Sequence, residues 1–261
     1  MKIRSRISFT ALMLALLVII SATISSCSST TTPGTTTPVV FNDSDISGGI
    51  FKPASKPAGK TYSQWSVAWW QWAMSMPATN NGSIYNPLLD SIKGGTQANL
   101  GNQGSSIFFL GGLVRKPAIK NVTRTVTIPH GDAIFFPLAA TIEDQYTVGA
   151  SRADTMQAHL VNFIGYHVGD LNIKLDNVPI LTITNRNLFR FTSGGSFSYT
   201  LPDNNLYQYR GVGAIAGTVN PAYADGYYVM LGPLKAGSHV LTFNGSIDNN
   251  TQIVTYNITS N

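Results

Sequence analysis

The sequence predicts a mainly β fold, an antiparallel β-sandwich or jelly roll with two packed α-helices. Three observations carry that expectation. Nine short apolar or alternating runs recur between Ile107 and Ile258, glycines and asparagines punctuate them, and no strand-helix-strand rhythm repeats. Only two segments show helical spacing, and no internal repeat is evident.

The first helix is expected to begin at Thr61, which forms a capping box with Gln64, and to stop at Met76 because Pro77 cannot continue it. On a helical wheel Tyr62, Trp65, Trp69, Trp72, Ala73 and Met76 share one broad stripe, and Val67, Trp70 and Met74 lie on a second side. Only Gln64, Gln71 and Ser75 form a polar strip, and a helix apolar over most of its circumference belongs in a core. At roughly 2 to 3 kcal/mol for each buried aromatic side chain, this segment supplies a large share of a typical net stability. Trp70, outside the main stripe, is the tryptophan expected to reach a ligand groove. A helix lying on a membrane surface would need a basic face, and no Lys or Arg occurs between residues 61 and 92.

The second helix is expected to begin near Ser151, with Asp154 in its first turn and Met156, Leu160, Phe163, Ile164 and His167 at three- and four-residue intervals. The strand runs are Ile107 to Leu110, Val122 to Ile128, Ala133 to Leu138, Leu171 to Leu175, Val178 to Ile183, Phe197 to Leu201, Tyr227 to Leu231, His239 to Phe243 and Ile253 to Ile258. Asp176 and Asn177 form a tight hairpin turn, and "GSIDNNT" joins the last pair. Pro202 to Gly226 has no clear periodicity and reads as a long binding loop. Its candidate ligand-binding residues are Tyr207, Tyr209, Arg210 and Tyr223, since tyrosines combine rigid contact area with a polar tip.

The chain opens with Lys2, Arg4 and Arg6, then an apolar run from Ala11 to Ile20 and small residues up to Cys27, the layout of an export signal too short to span a bilayer comfortably. Ile24, Ser25, Ser26 and Cys27 resemble the bacterial lipoprotein signal. The resemblance implies cleavage after residue 26, acylation of Cys27 and anchoring to a membrane through lipid. Ser28 is not the aspartate that signals inner-membrane retention, so outer-membrane residence is the expectation. Residues 27–45 are Ser/Thr/Pro-rich and read as a tether, and residues 46–261 read as one β-rich domain.

Cys27 is the only cysteine, so the domain must be stabilised by its core, for which roughly 215 residues suffice. The formal charge of +5 falls to about +2 once the three leader charges are removed. No basic cluster remains in the domain, which argues against nucleic-acid binding.

Tyr62, Trp65, Trp69, Trp70, Trp72 and Pro77, then Asn86, Pro87 and Asp90, then Gln103, Gly104 and "FFLGG" from Phe108 form the first part of a wider pattern. Pro129, Gly131, "IFFP" from Ile134, "ADGYYVML" from Ala224 and "GPLKAGSH" ending at His239 complete it. The pattern resembles an uncharacterised family of secreted bacterial proteins. Relatives often carry a cysteine pair bracketing the "FFL" strand, and this sequence has none there. The resemblance implies a shared fold and export, and no activity.

Glu143, the only glutamate, follows the "IFFPLAA" strand and is the candidate general acid or base. Adjacent strand residues face opposite ways, so Asp144 cannot complete a facing carboxylate pair with it. The likeliest second carboxylates are Asp132, Asp203 and Asp225. His130, His159, His167 and His239 have no ligand spacing, and no metal is expected. "GASRA" at Gly149 departs from the serine nucleophile motif, and Ser151 reads as an N-cap. "GVGAIAG" at Gly211 lacks the strand-turn-helix setting of a dinucleotide loop, so no cofactor is expected. The leading expectation is a lipid-anchored envelope protein binding an extracytoplasmic ligand, with a glycan in view, at residues 139–150 and 202–226. The alternatives are a polymer-directed hydrolase using Glu143 and a structural envelope protein with no small ligand.

Overall fold

A computed structural model describes residues 39–91, 95–114, 121–147, 155–181, 183–248 and 250–261. The signal, Cys27, most of the tether and Ser151 lie outside the described residues. Phe41 packs edge-on against Phe51 at 5.3 Å, so core contacts start a few residues ahead of Ile46.

Fourteen strands are described: β1 (Ile46–Ser47), β2 (Ile50–Phe51), β3 (Thr79–Asn80), β4 (Ser83–Ile84), β5 (Ile107–Phe109), β6 (Asn121–Ile128), β7 (Ala133–Glu143), β8 (Val168–Leu175), β9 (Val178–Leu181), β10 (Arg190–Thr192), β11 (Phe197–Leu201), β12 (Gly217–Leu231), β13 (Gly237–Ile247) and β14 (Asn250–Ser260). The helices are α1 (Tyr62–Ser75), α2 (Met156–His167) and the short α3 (Leu206–Tyr209). The fold is mainly β, as expected. One sheet runs β1-β2-β12-β7-β5, with β10 and β11 also pairing β12; a second runs β6-β14-β13-β8-β9. The two small strands β3 and β4 pair separately. Two neighbours depart from an all-antiparallel plan, because β5 runs parallel to β7 and β6 parallel to β14.

The sheets meet through β7 and β13. Phe136 packs on Phe243 at 4.7 Å, while Phe135, one residue earlier, stacks on Tyr228 and meets Tyr62 of α1. Alternation along the strand therefore places α1 on one face of the first sheet and the second sheet on the other. This explains why β7 reads as a continuous apolar run: both of its faces are buried. Gly245 is required at the crossing, since a Cβ there would stand 1.9 Å from the Leu138 carbonyl oxygen.

The capping box of α1 forms as predicted. The Gln64 amide donates to the Thr61 hydroxyl, and the Thr61 amide to the Gln64 side chain at 2.9 Å. The tryptophans are core residues whose indole N–H groups all find acceptors: Trp65 donates to the Pro57 carbonyl, Trp69 to Leu110, Trp70 to the Tyr228 hydroxyl and Trp72 to Leu100. Such pairing is what allows an indole to be buried without stranding its donor. Of α2, the segment around its expected start is outside the described residues, and the helix is seen from Met156 with Met156, Leu160 and Ile164 buried.

Arg124 was not singled out by sequence. It is fully buried on β6, donating from Nε and Nη2 to the Asp90 carbonyl and from Nη1 to the Gly111 carbonyl and the Tyr256 hydroxyl. It thereby pins two connecting segments onto the second sheet. A buried guanidinium requires such a full set of acceptors.

The expected long loop at Pro202 to Gly226 is corrected. Asn205 and Gln208 form a capping box around α3, and β12 begins at Gly217. Asn220, Pro221 and the small residues Gly217, Ala222, Ala224 and Gly226 obscure a strand whose burial alternates only briefly, from Ala222 to Ala224, before both faces are covered.

Candidate functional site

β7 changes character along its length. At Ile134 and Phe135 it is paired on both edges, by β12 and by β5, and Ala133 is paired with β5. The Leu110 amide donates to the Phe135 carbonyl at 3.1 Å, and there the chain leaves the sheet. From Pro137 to Glu143, among the described residues, only β12 pairs with β7. Pro137 stands where the second partner stops, and proline, lacking an N–H, is at home on such an edge.

A cavity of about 500 Å³ runs along this free edge. Its floor is Pro137 to Ile142. One wall is Trp69, Trp70 and Met74 of α1 with Leu206, Tyr207 and Arg210 of the α3 segment; the other includes Gly245 and Ile247 of β13. Small residues keep it open. Ala139 and Ala140 lie on the floor, and Gly226, across from Ala140, has no space for a Cβ, which would meet the Ala140 methyl at 2.4 Å.

The α3 wall is held by Asp144, which is fully buried just beyond the end of β7. Its Oδ2 accepts from the hydroxyls of Tyr199 at 2.5 Å and Tyr207 at 2.6 Å. Its Oδ1 accepts from the amide of Tyr146 at 2.7 Å, and Thr147 closes the turn by hydrogen bonding with the Asp144 amide. Burial foremost, with the neighbouring Asp144 carboxylate and, for Tyr199, the adjacent Tyr207 adding to it, pushes both tyrosine hydroxyls far above their ordinary range, so both remain donors.

The predicted site residues separate. Tyr207 is buried, with its hydroxyl on Asp144, so only its ring edges the cavity; Tyr209, two residues on along α3, is exposed. Two residues apart on a helix cannot share a face, which the loop reading missed. Arg210 is exposed on the cavity wall. Trp70 is largely buried yet lines the same wall. Tyr223 lies on β12 directly opposite Glu143, away from these residues.

Glu143 is buried, and its Oε1 meets Nδ1 of His159 at 2.5 Å, while its Oε2 is the buried side-chain oxygen without a partner among the described residues. It is not one of the residues lining the cavity. The expected second carboxylates do not join it. Asp225 is fully buried in an ion pair with Arg190 at 2.7 Å, and Arg190 also donates to the Val161 carbonyl of α2. Burial pushes the Asp225 carboxyl up against the opposing pull of Arg190, and Asp225 in turn holds the guanidinium protonated. Asp203 is exposed, and no hydrogen bond or ion pair links it to Glu143. Asp132, in the turn before β7, is pushed up to about 6 by burial.

Among the described residues no cluster of three or more His, Cys, Asp or Glu is placed to hold a metal, and no helix is long and apolar enough to cross a membrane. Asp144 is the residue that sequence reasoning passed over in favour of its neighbour. The signal available was Asp144 with Thr147 three residues later, a turn-forming pair.

No family model matches the chain, and no curated protein matches it. Among solved structures it is similar to the cysteine protease inhibitor EhICP2 from Entamoeba histolytica, at 13% identity over 59% of this chain and 96% of that one, with a TM-score of 0.22. It is also similar to the chain in the structure of PbICP-C in complex with falcipain-2, at 11% identity over 59% of this chain and 98% of that one, with a TM-score of 0.25.

Proposed function

We propose that the protein is a lipid-anchored envelope protein, held at the outer membrane through Cys27, that binds an extracytoplasmic ligand along the free edge of β7. The observation that carries the reading is the cavity of about 500 Å³ floored by β7, a size that suits a bound ligand. The lipoprotein-like leader and the resemblance to a secreted bacterial family support the address. The binding surface overlaps the one expected at residues 139–150 and 202–226 and narrows it: it takes Trp70, Arg210 and the ring of Tyr207, with the β7 segment 137–142. Tyr209 and Tyr223 fall outside it.

The test is a ligand screen on the detergent-solubilised full chain, with a glycan array and a peptide array run side by side and Ala140→Trp as the cavity-filling control. Binding to either array that the control abolishes is the expected result; no binding to either leaves a structural envelope component as the reading. Radiolabelled palmitate should enter the wild-type chain and fail to enter Cys27→Ala.

The hydrolase alternative keeps one observation in its favour, the Glu143–His159 contact with a spare carboxylate oxygen. Against it stand the position of Glu143 outside the cavity lining and the engagement of Asp225 with Arg190. Hydrolysis of an envelope polymer that disappears in Glu143→Gln would restore it.

A further inference from the structure

We infer that the groove takes an extended peptide segment, which adds as a strand to the free edge of β7 beside residues 139–142. The inference rests on the binding reading above and names the ligand class. A strand edge presents main-chain N–H and C=O groups that pair with another extended chain. Pro137 brings no N–H and the Leu138 carbonyl lies against Gly245, so the available edge is Ala139 to Ile142, about 13 Å at a rise of 3.2–3.4 Å per residue. The position is the one β5 holds next to residues 133–135, where the sheet already accepts a parallel neighbour.

The walls fit the same occupant. Side chains of an added strand point alternately to the two faces of the sheet. On one face they would meet Trp70, Met74 and Leu206; on the other, Ile247 and Phe163. Alternate apolar side chains on the peptide match both walls. The hydrogen-bonding groups of several lining side chains are already occupied. Trp69 donates to Leu110, Trp70 to Tyr228, Tyr207 to Asp144, and Gln252 accepts from the Leu113 amide at 2.6 Å. A glycan is recognised through many free side-chain donors and acceptors, whereas a strand takes its hydrogen bonds from the β7 main chain. Arg210 is the charged side chain of the lining, exposed and with no ion pair among the described residues. It favours a peptide with a carboxylate at that end.

The experiment uses the detergent-solubilised full chain and an array of octapeptides that alternate Val, Leu or Phe with Thr or Ser and end in Asp, each with a matching Lys-terminated version. The strongest binder is then made in two forms, N-methylated on the even or on the odd residues. N-methylation on the edge facing β7 removes the donors the strand needs, and on the other edge it does not. The expected result is about a tenfold or greater loss for one form and retained binding for the other. Arg210→Glu is expected to invert the preference from Asp-terminated to Lys-terminated peptides. Equal binding of the two N-methylated forms overturns strand addition. So does binding on the glycan array with none on the peptide array, which leaves the ligand-binding reading standing. Silence on both arrays overturns both. The N-methyl comparison needs no protein variant, so a folding defect in a mutant cannot obscure it.

Discussion

The two halves of β7 show how one strand can be divided between stability and recognition. Residues 133–136 carry Ile134, Phe135 and Phe136, are fully buried, and have partners across both faces; Ile134 and Phe135 are paired on both edges. Residues 137–142 contribute a proline and three smaller side chains, Ala139, Ala140 and Thr141, and have one edge without a partner strand among the described residues. Large aromatics fill the first half to close packing, so any volume change there is felt. Small residues leave the second half open, with its main chain available. The difference comes from side-chain volume and from the point at which β5 departs, since both halves belong to one continuous strand.

The largest effect is expected at Trp69 of α1, which bonds the Leu110 carbonyl just where the chain leaves the first half of β7. Trp69→Ala should lower unfolding stability by about 4 kcal/mol in denaturant titration, since it loses both ring contacts and the bond to Leu110. An effect below about 1 kcal/mol would mean that α1 does not anchor the core. Next comes the support of the groove wall. Asp144→Ala strands the buried hydroxyls of Tyr199 and Tyr207 and should lower stability by about 3 kcal/mol. It should also expose the α3 segment to limited proteolysis while cleavage elsewhere stays unchanged. Uniform cleavage would place the role of Asp144 in global stability alone.

Trp70 stands between the halves. Trp70→Phe removes the donor to the Tyr228 hydroxyl and should reduce stability by about 1 kcal/mol, while a fluorescence change on ligand addition should shrink because one of the two tryptophans on the groove wall is gone. An unchanged ligand response would place the ligand elsewhere.

The smallest effect is expected at the surface pair of His239 and Asp176, which are 2.8 Å apart. The hydrogen bond to Asp176, with that to the Lys235 carbonyl, raises the His239 pKa, and the bond to His239 lowers that of Asp176. The histidine contribution is complete below about pH 6.5 and is lost as pH rises through its raised folded value; the aspartate contribution is complete above about pH 4 and is lost as pH falls through its lowered folded value. The stability difference between wild type and His239→Gln should therefore peak between about pH 4 and 6.5 and shrink on either side, as thermal melts across pH would show.

Much of the framework was legible because its signals are local. Thr61 with Gln64 and Pro77 bounded α1, the aromatic stripe marked it as a core helix, and Asp176-Asn177 marked a hairpin turn that both residues enter with positive φ. The site was less legible. Glu143 drew attention as the only glutamate, while the residue organising the groove wall is Asp144, whose tyrosine partners lie 55 and 63 residues away. Tyr207 and Tyr209 looked alike in a presumed loop, and a four-residue helix turned one inward and one outward.

By itself, the sequence determined a mainly β domain, the limits of its tryptophan helix and the core role of that helix, because caps, periodicity and hydrophobic burial act between near neighbours. Tertiary structure alone decided that β5 leaves β7 at Phe135, that Arg124 is buried among distant carbonyls, and that the free edge from Pro137 to Ile142 lies between two apolar walls. Those outcomes depend on which strands become neighbours across long stretches of chain, and no local pattern of residues encodes that choice.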